Sequence, residues 1–209
     1  MKNLLFAAAM SLASASLQAN TLPTVILQTK ANSPIWKDAF LALQKAIVTG
    51  DKALVKNFIS FPFTTITPEE AADKDAINYM WLASTGGFVN EEIDNKIPFT
   101  AQDFDKHFNG LFGENERKAL AGISIDELIE VGIAESTVKP SEKADETSFV
   151  RALVSFEKEQ EMITIFFING EIICDEENPD ECEEFGSGVG FNFQIKGKDL
   201  FLKSLGFAG

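Results

Sequence analysis

Apolar residues at Trp36, Phe40, Leu43 and Ile47 keep the i, i+4, i+7, i+11 spacing that places them on one face of a helix. Ser33-Pro34 stands at the entry and Gly50 just past the end, a start and a stop. Asp51 caps a second segment, where Leu54, Val55, Phe58 and Ile59 repeat the spacing until Phe61-Pro62-Phe63 forces an extended exit. Thr67-Pro68-Glu69-Glu70 reads as a capping box and predicts a third helix through Ile77 and Trp81 to Gly86-Gly87. Thr100-Ala101-Gln102-Asp103 opens a fourth, with Phe104, Phe108, Leu111 and Phe112 following, and Ser124-Ile125-Asp126-Glu127 a short fifth.

After the polar stretch Glu135 to Ser148, the period changes to strict alternation, and Val189, Phe191, Phe193 and Ile195 point one way. FVRALVSF, EMITIFFI, EIIC, GVGFNFQI and DLFLKSL read as strands, with Glu157 to Gln160, Asn169-Gly170 and Lys196-Gly197-Lys198 as turns. Helices followed by a meander predict an α+β fold, in which N-terminal helices pack on a C-terminal curved antiparallel sheet of about four to five strands. The expected layout is a signal peptide over 1–19 and a single domain over 20–209. Within that domain the helical part covers 33–134, the linker 135–148 and the sheet 149–206.

The segment IWKDAFLALQKAIVTGDKALVKNFISFPF resembles the opening helical hairpin of bacterial nuclear-transport-factor-2-like (cystatin-like α+β) proteins. In those a W-x-x-x-F amphipathic helix leads through a G-D turn to a second helix ending in F-P-F. The resemblance implies long helices wrapped around a bent antiparallel sheet, a cone whose mouth holds a small ligand or an active site in some members. The run from Pro68 to Gly122 departs from that order, and no catalytic residue carries over by motif.

The N-terminus, MKNLLFAAAMSLASASLQAN, has a lysine, an apolar run and small residues ending at Ala19, the layout of a cleaved secretory signal. Its apolar run is too short to span a bilayer, so a periplasmic or secreted protein without membrane insertion is expected. Roughly 190 residues remain, enough for a real core at 45% hydrophobic content. Phenylalanine supplies 19 residues, which is core filling that brings no hydroxyl to a site. A formal charge of −14 repels nucleic acid and anionic lipid and favours a basic protein as partner. In an oxidising compartment Cys174 and Cys182, the only cysteines, are expected to pair, worth about 2.5 kcal/mol by the loop-entropy argument.

Candidate chemistry is sparse. His107 is the only histidine, which excludes a multi-histidine metal cluster, and it sits at the margin of an apolar helix face as a helix-edge residue or a general base. Tyr79, the sole tyrosine, either packs its ring or orients a ligand. Asp126, Glu127 and Glu130 crowd one helical turn and cannot straddle a sugar, so they complement the helix dipole. No nucleophile elbow, zinc-protease motif, phosphate loop or dinucleotide fingerprint occurs, and no cofactor is expected. Gly186, Gly188 and Gly190 are read as sites of close backbone approach at a strand start or bulge.

The densest acidic cluster, Asp175, Glu176, Glu177, Asp180, Glu181, Glu183 and Glu184, surrounds the cysteine pair. It lacks the spacing of a Ca²⁺ loop, so no metal site is assigned, and it reads as an acidic hairpin tip, either solvated or offered to a partner. Two functions follow. One is an exported non-enzymatic binding protein, an inhibitor or immunity-type factor against a basic envelope-acting enzyme. The other is a small-ligand carrier or enzyme using a Phe-lined pocket with Tyr79 and His107 as its polar groups.

Overall fold

The computed structural model describes residues 33–64, 78–85, 98–139, 147–174 and 182–208. The expected signal peptide, the expected Thr67 helix start and Gly86-Gly87 stop, and the middle of the expected linker lie outside them. Helix α1, Lys37–Thr49, buries Phe40, Leu43, Ala46 and Ile47, with Trp36 buried at its N-cap, as the spacing requires. It ends because Gly50 adopts a left-handed φ of 71° that costs glycine nothing. The Asp51 carboxylate then accepts the Leu54 N–H at 3.1 Å and starts α2, Lys52–Lys56. This helix is shorter than its pattern suggests: Phe58 and Ile59 pack on the core from a turn.

Helix α3, Tyr79–Ser84, is capped by Asn78, which is fully buried yet satisfied, since its amide donates to the Phe63 carbonyl at 3.0 Å. Helix α4, Ala101–Leu111, opens with the expected Thr100–Asp103 capping box and buries Phe104, Phe108 and Leu111. Helix α5, Glu114–Ala121, escaped the apolar pattern because it buries only Ala119 and Leu120; its sequence signals are Gly113 at the cap and two acids in the first turn. Helix α6, Ile125–Val131, starts at Ser124 as expected.

Five antiparallel strands follow in meander order: β1 Ile133–Val138, β2 Ser148–Glu157, β3 Met162–Cys174, β4 Cys182–Lys196 and β5 Asp199–Ala208. The sheet is open, with β1 and β5 at its edges. Two expectations are corrected. Glu135 to Val138, assigned to the linker, are strand: Ala134 is buried while Glu135 and Thr137 face outward, which gives an edge strand its polar look. Asn169-Gly170 is not a turn but the interior of one long strand, so EMITIFFI and EIIC are a single β3. Gly170 is required there because a Cβ would run into the Phe185 backbone carbonyl oxygen on the neighbouring strand and would stand 2.7 Å from Phe149 Cζ.

The inner face of the sheet, including Val154, Ile165, Phe167, Phe191, Phe193 and Leu202, packs on the helices and is buried. Phe104, Phe108 and Phe112 form a chain of ring contacts at 5.5 Å, and Phe112 meets Phe191 at 4.9 Å. These phenylalanines fill the space beneath the sheet, each burial contributing about 1.5–3 kcal/mol. On the outer face the Phe166 ring covers Gly188 and Gly190, where a Cβ would come within 2.7 Å of it, so a side chain as well as backbone explains that glycine run. Thr164, Asn192 and Ser204 form a hydrogen-bonded row across β3, β4 and β5 at 2.9 and 3.1 Å.

Candidate functional site: the arm formed by β3 and β4

Among the described residues, β2 pairs with β3 as far as Ser148↔Glu171, with the Ile172 N–H still donating to the Thr147 carbonyl at 2.8 Å, and β5 pairs with β4 as far as Ala208↔Gly188. The β3–β4 hairpin continues beyond both, to Cys174↔Cys182, as an arm. The two cysteines are bonded, as expected, and close it. A disulfide here fits an oxidising compartment. Among the described residues no helix is long and apolar enough to cross a membrane.

Alternation continues into the arm after the helical layer has ended. On β3 the inward positions pass from buried Ile163, Ile165 and Phe167 to exposed Asn169, Glu171 and Ile173. On β4 the matching positions are Ser187, Phe185 and Glu183. Ile173 and Phe185 are 54% and 52% exposed and lie diagonally across the pair of strands, with Glu171 opposite Phe185 and Glu183 opposite Ile173. Neither carboxylate has an ion-pair partner among the described residues. Two apolar side chains thus sit in a checkerboard with two free negative charges.

Glu184 faces the other way and is engaged. Its carboxylate accepts Arg151 Nη2 at 2.9 Å, and Arg151 also donates from Nε to Thr137 Oγ1 at 3.2 Å. The Arg151 guanidinium stands 5.0 Å from the centre of the Phe149 ring, which is buried outside the main core. Hydrogen bonding to Glu184 pushes the Arg151 pKa further up, so the pair stays charged. This clamp reaches from β2 over β3 to β4 and fixes the base of the arm. Asp175, Glu176, Glu177, Asp180 and Glu181 lie outside the described residues.

Two clefts flank the register pair Asn169↔Ser187 where the arm leaves the body. One, about 540 Å³, has Leu111, Glu116, Val189 and Phe207 among its lining residues. The other, about 650 Å³, is bordered by Asn115, Phe149, Glu171 and Phe185. Tyr79 and His107 do not face each other. Tyr79 packs its ring on Phe207 at 5.5 Å, whereas His107 lies edge-on to Trp81 at 5.5 Å. Tyr79 and Trp81 are two apart on α3 and so point to opposite sides of it. Burial against these rings, with Lys106 nearby, lowers the His107 pKa, and Asp103 opposes the shift.

Sequence reasoning selected Glu183 and Glu184 but not Glu171, Ile173 or Phe185. The available signal was the alternation itself, since E-x-I and E-x-F place a carboxylate and an apolar residue on one face of adjoining strands. The fold and arm together define an open-sheet α+β protein with a disulfide-closed acidic hairpin. No family model, curated protein or solved structure matches the chain.

Proposed function

We propose that the chain is an exported, non-enzymatic binding protein whose β3–β4 arm engages a basic protein, in the manner of an inhibitor or immunity-type factor against a basic envelope-acting enzyme. One observation carries this reading. Ile173 and Phe185 are exposed diagonally across the arm, interleaved with the carboxylates of Glu171 and Glu183, which have no ion-pair partner among the described residues. Apolar anchors ringed by charge are the makeup of a recognition patch, with the anchors supplying affinity and the charges steering and selecting. The net charge of −14 extends the attraction to cationic partners. The signal-like N-terminal sequence and the disulfide support a location outside the cytoplasm.

The test is binding of purified basic cell-wall hydrolases to the wild type and to a Glu171→Gln/Glu183→Gln/Phe185→Ser variant. Saturable binding by the wild type that weakens at high salt and drops at least about tenfold in the variant is the expected result. Equal binding by both would end the arm's role. The small-ligand reading, with the nuclear-transport-factor-2-like resemblance, draws less support, because phenylalanine rings occupy the space under the sheet and Tyr79 and His107 face different surroundings.

A further inference from the structure

We infer that a cleft at the end of β4 opposite the arm is a binding site for an aromatic monocarboxylate, held by the ammonium groups of Lys196 and Lys203. The cleft, about 460 Å³, is lined by Ser60, Gln194, Lys196, Phe201, Leu202 and Lys203. A break in the alternation of β5 builds it. Asn192 pairs with Ser204 while the next residue, Phe193, pairs with Leu202, which leaves Lys203 as the extra residue of a β-bulge. A regular strand would send Lys203 and Ser204 to opposite faces. Here both turn to the outer face. Ser204 Oγ accepts from Asn192 Nδ2 at 3.1 Å, Lys203 Nζ donates to Gln194 Oε1 at 3.2 Å, and Asn192 and Gln194 share one face of β4. Bulges re-aim side chains beside functional sites, and the side chain re-aimed here is a cation at a cleft.

Hydrogen bonds hold the walls in place. Gln194 Nε2 donates to the carbonyls of Gln160 and Glu161 at 2.9 and 3.0 Å, which turns Oε1 toward Lys203 and positions its ammonium. The Leu202 N–H donates to the Phe58 carbonyl at 2.7 Å, drawing the chain after α2, with Ser60, alongside β5. Lys196 Nζ stands 5.7 Å from the centre of the Phe201 ring, and both lysines are exposed. These groups select the ligand. Two ammonium groups donate to a carboxylate, and the Phe201 ring offers apolar surface on which a second ring can lie. The protein's charge of −14, with Asp199 opposite Lys196 in register, repels a dianion such as phosphate more strongly than a monoanion. A single carboxylate on an aromatic body therefore gains the lysine contacts at the least electrostatic cost, and the cleft has the volume of a small-molecule site.

The probe is 2-naphthoate, titrated at low salt into the full chain and followed by backbone amide NMR shifts, with 2-naphthamide, acetate and inorganic phosphate as controls. Naphthoate should shift the amides from Gln194 to Lys203 saturably, and each control should bind at least about tenfold more weakly. Lys203→Met keeps the stem, removes the charge and should weaken naphthoate binding at least about tenfold. Lys198→Gln, in the β4–β5 turn outside the cleft, should change it by less than about twofold. Should Lys203→Met disturb the fold, seen as a lower denaturation midpoint, Lys196→Met gives the same reading from the strand end. Equal binding of naphthoate and naphthamide would overturn the inference, because the cleft would then be an apolar surface. Equal losses in Lys203→Met and Lys198→Gln would overturn it too, leaving only diffuse attraction. So would phosphate binding as tightly as naphthoate, or no saturable shift at all. Wild-type binding by Lys203→Met together with self-association would show that the bulge and its lysine serve only to protect a sheet edge, which also overturns the site.

Discussion

Strand β3 belongs to two regions that differ in everything except alternation. Up to Phe167 its inward side chains are sealed under helices; from Asn169 onward the same face meets solvent. The β4 partners change in step, from buried Phe191 to exposed Phe185. The hydrophobic effect explains the first half, since burial there is what holds the sheet to the helices. It explains the second less well, because about half of Ile173 and of Phe185 stays in solvent. Half-exposed apolar side chains on a stapled hairpin, beside carboxylates with no ion-pair partner among the described residues, are the physical basis for reading the arm as a surface for a partner.

The largest effect should come from breaking the body. Phe191 is 1% exposed and contacts Phe112 and Phe167, so Phe191→Ala leaves a cavity and should cost about 3–5 kcal/mol in denaturant titration. Phe185→Ala, the matching change on the arm, should fall within about 0.5 kcal/mol of wild type. Equal losses for the two would abolish the distinction between the regions. Next comes Cys174→Ser/Cys182→Ser. Its loop-entropy cost is up to about 2.5 kcal/mol, but the staple lies at the tip. Hydrogen exchange should therefore accelerate in the arm well before it does in β4 beneath the helices, whereas uniform acceleration would show that arm and body open as one unit.

The fold was readable where local chemistry and periodicity agree. Trp36, Phe40, Leu43 and Ile47 are all buried, and Gly50, Asp51, Thr100 and Ser124 stop or cap the helices as their types require. Misreadings fell where a residue's reason is tertiary. Asn169-Gly170 has the composition of a turn, yet Gly170 answers to the Phe185 carbonyl on the next strand and to Phe149, twenty-one places earlier in the chain. Helix α5 shows too few apolar residues because it covers the sheet with only Ala119 and Leu120. The arm was half readable: the cysteine pair and its acids stood out, but which side of each strand faces solvent depends on where the helical layer ends, and no local pattern encodes that.

A smaller effect tests how the arm is fixed to the body. Arg151→Ala removes the Glu184 ion pair, the Thr137 hydrogen bond and the contact over Phe149. With both partners partly exposed, the cost should be about 1 kcal/mol. Arg151→Lys should recover only part of it, because a single ammonium cannot serve Thr137 and Glu184 through a fork. Full recovery by lysine would reduce the clamp to a simple charge pairing.

The smallest effect belongs to His107, and it separates the regions by pH. Burial against Trp81 and Phe99, together with the Lys106 charge, lowers its pKa below 6.5, with Asp103 opposing. The unfolded chain therefore binds the proton more readily than the native one. Stability is untouched by His107 well above pH 6.5, and declines as pH falls through 6.5 toward the lower native value. His107→Gln should flatten the stability curve between about pH 6.5 and 5, above the range where ordinary carboxylates titrate. Exchange in the arm, which holds no histidine, should change little across that interval. Parallel curves for wild type and variant would show that the imidazole is as solvated in the native state as in the unfolded chain.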